Sequence, residues 1–339
     1  MSSSIRRALG VAVVAAAGAA PLAAQAPTPP QVTVGGVVYT QYVYQLKDSV
    51  NNFNNFDVTR AYVNILGRFA GGVTTRVTPD IQRVGAGDNS LRLRLKYAYA
   101  TYTPVGSQLT YKAGLIHTPF LDWEEALWEY RMQGPMVLDR AGKMSAADFG
   151  VGVDGAFQAE KVNFQAVIVN GTFYSNTSTA QGKDVQGRVS VRVLDTDDPS
   201  RVGGLRVTLY GGYGRAPAGD RNRYDAVVSY KSKQITLAGE ASATQDGQQG
   251  AVSGHYYSAF GVYKFPQTKA AVIARVDIRH DQAGAVDKAT RFIAGVSYQL
   301  SPNWRLLADV DNVNYQTDAL NTANYATRSQ ALFQTQFTF

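Results

Sequence analysis

The chain has 339 residues, with 33 lysines and arginines against 26 acidic residues and no cysteine. Disulfides and thiolate metal sites are therefore excluded, and a formal charge of +7 says little about partners until the basic residues are placed. Twenty tyrosines and 14 phenylalanines against 3 tryptophans point to aromatic-rich strands rather than helices.

Arg6 and Arg7 precede a small-residue apolar stretch, residues 8–24, that ends in a cleavage-like sequence. This predicts a secretory signal over 1–24, cut after Ala24, and a short periplasmic lead over 25–31. A membrane anchor is the alternative, but the Pro21 break and the alanine-rich composition weigh against it. No later segment approaches the ~18 uninterrupted apolar residues of a spanning helix. The exported chain is thus either a periplasmic protein or a β-barrel. Export also argues against nucleic acid as the partner of its basic residues.

From residue 32 onward the chain alternates apolar and polar residues with period two, the mark of strands with two unlike faces. Residues 59–69 set Ala61, Val63, Ile65 and Phe69 against Arg60, Tyr62, Asn64 and Arg68. Residues 91–102 set Leu91, Leu93, Leu95, Tyr97 and Tyr99 against Arg92, Arg94, Lys96 and Ala98. Residues 271–280 set Val272, Ala274, Val276 and Ile278 against Arg275, Asp277 and Arg279. About sixteen such segments can be counted, near 32–47, 57–69, 72–83, 91–103, 107–115, 148–157, 161–170, 186–194, 204–213, 222–231, 233–244, 253–264, 269–280, 289–300, 303–314 and 329–339. Most run ~10–13 residues, longer than the ~5–6 usual in soluble sheets and close to the ~9–11 that cross a bilayer at a tilt.

Short connections near 70–72, 104–107, 158–161, 231–233, 265–268 and 301–303 alternate with long ones; 195–203 is a long member of the short set. Short periplasmic turns alternating with long external loops mark a bacterial barrel. The predicted fold is all-β: a transmembrane, antiparallel, up-and-down barrel over residues 32–339 with both termini on the periplasmic side. In the last segment Ala331, Phe333, Thr335, Phe337 and Phe339 share a face. A strand of alternating aromatics closing on Phe339 resembles the assembly signal, here Phe333, Phe337 and Phe339, that barrel-assembly machinery reads.

The connection 116–147 breaks the strand rhythm. Its middle, DWEEALWEYRM (122–132), is dense in helix formers, with Asp122, Glu124 and Glu125 suited to a first turn. Loops this long and this aromatic are usually functional. An empty barrel of this size encloses a wide aqueous lumen, which an inward-folded loop would narrow; an external lid or a subunit contact is the alternative. The loop carries Asp122, Glu124, Glu125, Glu129 and Asp139 beside Arg131, Arg140 and Lys143, so it is acidic on balance.

The succession TYKAGLIHTPF (110–120), a Trp/Glu-rich loop ending MVLDR, DFGVGVDGAF (148–157) and NFQAVIVNGT (163–172) resembles the phosphate-selective porin O and P family, best over about residues 55–172. The resemblance implies a sixteen-stranded homotrimer in an outer membrane of lipid and lipopolysaccharide. It also implies that the third external loop constricts each pore and that lumen arginines and lysines pass small anions along.

If the apolar faces meet lipid, the opposite faces line water, because an arginine at the bilayer midplane costs ~2–4 kcal/mol. This places Arg60, Arg68, Arg76, Arg92, Arg94, Lys96, Lys112, Arg188, Arg192, Arg206, Arg275 and Arg279 in the lumen, with Asp80, Asp277, Asp309 and Asp311. A stripe of cations in a confined pore concentrates anions, and arginine forks suit phosphate and carboxylate. Each such residue could equally pair with a lumen carboxylate and brace the wall. Arg92, Arg94 and Lys96 read as conducting, since three like charges on one strand face show no local partner.

His117, His255 and His280 form no HExxH pattern, and residues 211–214 (GGYG) lack the Lys-Ser/Thr ending of a phosphate loop. No enzymatic activity, cofactor or metal is expected. The function predicted is a passive porin favouring anions such as phosphate. The rival is a structural or adhesive barrel acting through the polar external loops 171–185 and 315–328.

Overall fold

The computed structural model describes residues 29–83, 90–174, 182–216, 219–247 and 252–339. The expected signal, most of the lead that follows it and part of the loop 171–185 lie outside the described residues. The described residues form sixteen strands. The first eight are β1 (Gln31–Gln45), β2 (Asn54–Arg68), β3 (Val73–Arg83), β4 (Leu91–Tyr102), β5 (Leu109–His117), β6 (Ala147–Phe157), β7 (Val162–Val169) and β8 (Asp184–Leu194). The second eight are β9 (Gly204–Ala216), β10 (Gly219–Lys231), β11 (Ile235–Gly247), β12 (Val252–Lys264), β13 (Ala270–His280), β14 (Ala289–Ser301), β15 (Trp304–Tyr315) and β16 (Ser329–Thr338).

Each strand pairs antiparallel with its neighbours in sequence, and β1 closes the barrel on β16 from Val37↔Thr338 to Gln45↔Gln330. Closure removes every sheet edge, so backbone groups find partners without water. Among the described residues no helix is long and apolar enough to cross a membrane. The segments read from period-two alternation match these strands to within about three residues, inside the usual boundary error.

The outward faces are apolar. Leu93 is 69% exposed, and Leu91, Leu209, Val228, Val272 and Val296 also face out. Exposed aromatics gather toward the two ends of the strands: Tyr44, Phe56, Tyr213, Tyr224 and Tyr257 toward the external loops, Tyr102, Tyr111, Tyr263, Phe265 and Trp304 toward the short turns. An apolar band between two aromatic girdles is what a bilayer selects. Phe333, Phe337 and Phe339 point outward as well. Phe337 meets Trp304 edge-on at 6.0 Å, and the Phe339 backbone pairs with Gly36 at 2.8 and 3.0 Å. Gly36 has to be glycine, because a Cβ there would stand 2.4 Å from the Phe339 ring.

One sequence-based facing is corrected. Thr78 pairs with Tyr97 but Pro79 pairs with Leu95, which leaves Lys96 as the extra residue of a bulge. A bulge shifts side chains from one face to the other. Tyr97 and Tyr99 therefore turn inward instead of following Leu91, Leu93 and Leu95 to the lipid. Tyr97 is buried against His117, ring centroids 4.2 Å apart, and under the Arg76 guanidinium at 4.5 Å.

Between β5 and β6 the chain folds into the barrel as an inner loop. It contains α1 (Leu121–Trp128), a single 3-10 turn (Arg131–Gln133) and α2 (Val137–Arg140). Leu121, Trp123, Leu127, Trp128, Met136 and Leu138 are fully buried, or nearly so, in one cluster with wall residues Tyr210, Val227, Phe260, Val262, Ile273 and Leu307. Those inward-facing positions on β9 to β15 are apolar where a bare porous wall would be polar, and the loop explains them. A third helix, α3 (Asp318–Ala323), sits in the last external connection, its first turn capped by the Thr317 hydroxyl.

Candidate functional site

The inner loop packs on wall residues of β9 to β15 and borders an opening. The opening is a cavity of about 380 Å³ between loop residues 131–135 and 140 and the inner faces of β1, β2, β14, β15 and β16. Its charged lining consists of Arg60, Arg131, Arg140, Arg291 and Arg328 against Asp311. A water occupies ~30 Å³ of liquid, so the cavity takes a small hydrated solute.

The loop's carboxylates do not contest this lining. Arg201 donates to both Asp122 oxygens, backbone and side chain, at 2.8 Å. Burial opposes ionisation of Asp122, but His117 and Arg201 outweigh it and hold the carboxyl below its ordinary range. Glu129 bonds Lys231 at 3.0 Å and Lys264 at 2.8 Å, and these two cations likewise overcome burial and lower its pKa. Arg131 spans Glu125 at 2.7 Å and Asp139 at 3.3 Å within the loop itself. Glu124 is buried among other carboxyls on the far side of α1. The acidity legible in the sequence is thus neutralised in place.

Arg140 behaves differently. Its Nη2 donates to the Pro135 carbonyl at 3.1 Å and its buried Nε has no hydrogen-bond partner. Gly134, at φ 137°, makes this possible, since a Cβ there would meet Arg140 Nη2 at 2.9 Å. Burial first, then the neighbouring Arg291 and Arg275, lower the Arg140 pKa to about 9. Lys143, by contrast, is tied to Asp246 at 2.9 Å.

The twelve basic wall positions sort into three groups. Arg60, Arg76, Arg94 and Lys96 stand on adjacent strands β2 to β4, on the inner face. Arg60 and Arg94 share Asp80 at 2.9 and 2.8 Å, and Arg94 also bonds Tyr174. Arg76 reaches Asn64 and His117, and Lys96 reaches the Tyr62 hydroxyl at 3.3 Å. The expectation that Arg92, Arg94 and Lys96 lack partners is corrected: Asp80 of the neighbouring strand β3 pairs with Arg94, Lys96 bonds Tyr62, and Arg92 is not free either. Arg92 and Arg68 are exposed near the two ends of the wall, and Arg279 pairs with Asp281 at 3.1 Å.

Lys112, Arg188, Arg192, Arg206 and Arg275 are buried braces. Lys112 bonds Asp154 at 2.8 Å, and Arg275 forks onto Asp277 at 2.8 and 2.7 Å. Arg188 donates to the Pro119 carbonyl at 2.8 Å, while Arg192 and Arg206 hold the backbone of Ala159, Glu160 and Gly203. All five are buried, and none of them borders the open cavity.

Five functional positions escaped the sequence reading: Arg201, Lys231, Lys264, Arg291 and Arg328. Arg291 lies in phase with the inward face of β14 and was recoverable from alternation. Lys231 and Lys264 end β10 and β12 in phase with the inward Ser229 and Val262 and were recoverable as well, while Arg201 and Arg328 sit in a turn and a loop, where period-two phase says nothing. The overlong turn 195–203 has a purpose in this setting. It folds under the inner loop, burying Val202 in the loop's apolar cluster and presenting Arg201 to Asp122.

Among the described residues no group of three or more His, Asp or Glu could hold a metal ion. His280 pairs with Asp287 at 3.0 Å at a loop edge, and Asp309 and Asp311 accept from Gln133 of the inner loop at 3.4 Å each.

Comparison with known proteins agrees. The profile of the Gram-negative porin family matches residues 10–318. No curated protein matches the chain in sequence. Among solved structures, the chain is similar to an anion-selective porin from Comamonas acidovorans, with TM-score 0.67, 14% identity, and 92% of this chain and 100% of that one covered. It is also similar to the trimer form of OmpT, an outer membrane protein of Vibrio cholerae, with TM-score 0.62, 12% identity, and 92% and 100% coverage. A mutant Rh. blastica porin follows, with TM-score 0.59, 17% identity, and 91% and 100% coverage. At these identities the likeness is one of fold. A closed sixteen-stranded barrel with an inward loop, matched over most of its length by the family profile, is an outer-membrane channel, and the chain belongs to the Gram-negative porin family.

Proposed function

We propose that this porin lets small hydrophilic solutes diffuse passively across the outer membrane and favours anions, phosphate among them. The observation that carries the reading is the cavity beside the inner loop, where five arginines face one aspartate while the loop's own acids are neutralised or buried. Confined cations of one sign raise the local concentration of anions and repel cations. The guanidinium groups add planar forks suited to phosphate and carboxylate. Arg60, Arg76, Arg94 and Lys96 continue the basic stripe along the facing wall. The solved anion-selective porin of similar fold is in keeping with this preference.

The same reading takes the working unit as a homotrimer, as in the trimeric OmpT of similar fold. Lipid and lipopolysaccharide surround the girdled outer face, barrel-assembly machinery recognises Phe333, Phe337 and Phe339, and residues 1–24 direct export and are removed. Planar-bilayer recording across a potassium chloride gradient tests the preference. A reversal potential of the sign set by chloride is expected, and one set by potassium, or an absence of channels, would overturn it.

A further inference from the structure

On the side of α1 away from the cavity, three carboxyl groups meet where the inner loop touches the wall. Glu124 comes from α1, Asp225 from β10 and Glu240 from β11, and all three are buried, Glu124 to 1% exposure. The carboxyls of Glu124 and Asp225 each lie within hydrogen-bonding reach of Glu240. Ser242 Oγ contacts Glu240 Oε1 at 2.9 Å and also bonds Asp225 Oδ2. No donor from any other residue reaches Glu124 Oε1 or Oε2, Asp225 Oδ1 or Glu240 Oε2.

Counting protons settles the charge state. Carboxylate oxygens only accept, so each close oxygen–oxygen contact needs a proton between its partners. The serine hydroxyl supplies one. The other serine contact and the Glu124–Glu240 and Asp225–Glu240 contacts need three more, which only the carboxyls themselves can hold. No cation substitutes for them. The charged groups facing Glu124 are Glu240, Asp225 and, from β13, Arg275. Arg275 is already engaged on both sides, by Asp277 and by the Met136 sulfur at 3.1 Å. Burial, reinforced by Glu240, accordingly raises the Glu124 pKa well above the ordinary carboxyl range.

We propose that Glu124, Asp225 and Glu240 form a proton-operated clamp: protons shared among the three carboxyls fasten α1 to the wall, and their loss loosens the inner loop and alters the pore. The sign follows from linkage. The clamped state holds protons that a hydrated, detached loop would release, so clamping is strongest in acid and weakens as pH rises above the ordinary carboxyl range. Each proton held changes the ratio of clamped to loosened loop by up to about tenfold per pH unit. The apolar packing of Trp123, Leu127 and Trp128 sets how far the loop yields.

Two measurements on the full-length protein in lipid test this. In infrared spectra at neutral pH, a protonated-carboxyl C=O stretch is expected that shifts in deuterium oxide and loses intensity in Glu124→Gln, an isosteric change that keeps a donor toward Glu240. An unchanged band in that variant would overturn the clamp. In single-channel records from mildly acidic to alkaline pH, the wild type is expected to show rising conductance and noise. A variant combining Glu124→Gln, Asp225→Asn and Glu240→Gln should be flat, and superimposable curves would overturn the proposal. If the protein forms no channel at all, the pore reading fails on its own terms while the infrared result still decides the clamp.

Discussion

Replacing Trp128 with alanine is expected to give channels of larger and noisier conductance in an otherwise intact barrel. Trp128 is fully buried, meets Phe260 edge-to-face at 5.1 Å and lies 5.7 Å from both the Tyr130 ring and the Arg275 guanidinium. Removing a buried tryptophan side chain costs ~3–5 kcal/mol through lost burial and the void it leaves. Here that loss falls on the attachment of α1 rather than on the barrel, whose strands are held by closed backbone pairing. The polar ties at Glu129 and Asp122 remain, so the loop is expected to fluctuate rather than to leave the lumen. Single-channel recording reads the effect, and unchanged migration of the unheated sample in mild detergent shows that the barrel survives. Wild-type conductance in this variant would mean that the apolar cluster does not set the aperture.

The second large effect concerns charge. Changing Arg60, Arg140 and Arg328 together to glutamine is expected to bring the anion preference close to none. These three are chosen because none leaves a stranded carboxylate. Asp80 keeps Arg94 at 2.8 Å, Arg140 bonds only a backbone carbonyl, and Arg328 bonds the Asn314 side chain and the Val313 carbonyl. Arg291, by contrast, holds Asp311, and removing it would leave a buried charge alone. Reversal potentials at low and high salt provide the check. The difference from wild type should be large at ~0.1 M, where the Debye length is ~10 Å, and small at ~1 M, where it is ~3 Å. A preference that survives the triple change at low salt would move selectivity elsewhere in the lumen.

Most of the fold was legible because the bilayer writes it into every strand. An outward residue meets hydrocarbon and an inward one meets water, so alternation persists from β1 to β16 and breaks at turns and at irregularities such as the bulge in β4. The long third external loop declared itself by its helix formers and tryptophans, and its inward course is matched by apolar wall residues such as Phe260 and Ile273, whose phase would otherwise be hard to explain. The bulge at Lys96 could not be read. A single extra residue in β4 reverses the facing of Tyr97 and Tyr99, and its position depends on the register of β3, which local pattern does not contain.

The site was legible in part. Alternation put Arg60, Arg76, Arg94 and Lys96 on the same face as Arg188, Arg192 and Arg206, but it could not say which side chains border open water. That distinction depends on backbone carbonyls contributed from Pro119, Ala159, Glu160 and Gly203, in segments that meet these strands only after folding. Likewise, the loop reads as acidic because Glu129 and Asp122 are visible, while Lys231, Lys264 and Arg201, which neutralise them, come from strand ends and a turn more than 70 residues away. Charge in a pore is a property of the three-dimensional lining and is only loosely related to the charge of any one segment.

The absence of native cysteine allows the lining to be probed one position at a time. Gln41→Cys would place a thiol on the cavity wall, and Leu209→Cys one on the outward face, where Leu209 is 52% exposed. Both would be reacted with an anionic and a cationic methanethiosulfonate of similar size in low salt. The thiol at position 41 should be modified by both reagents, the anionic one faster by about tenfold, as expected for a confined basic field, while the thiol at position 209 stays unmodified in lipid. Equal or faster modification by the cationic reagent at position 41, or ready labelling at position 209, would contradict a water-filled, arginine-lined lumen inside a lipid-facing barrel.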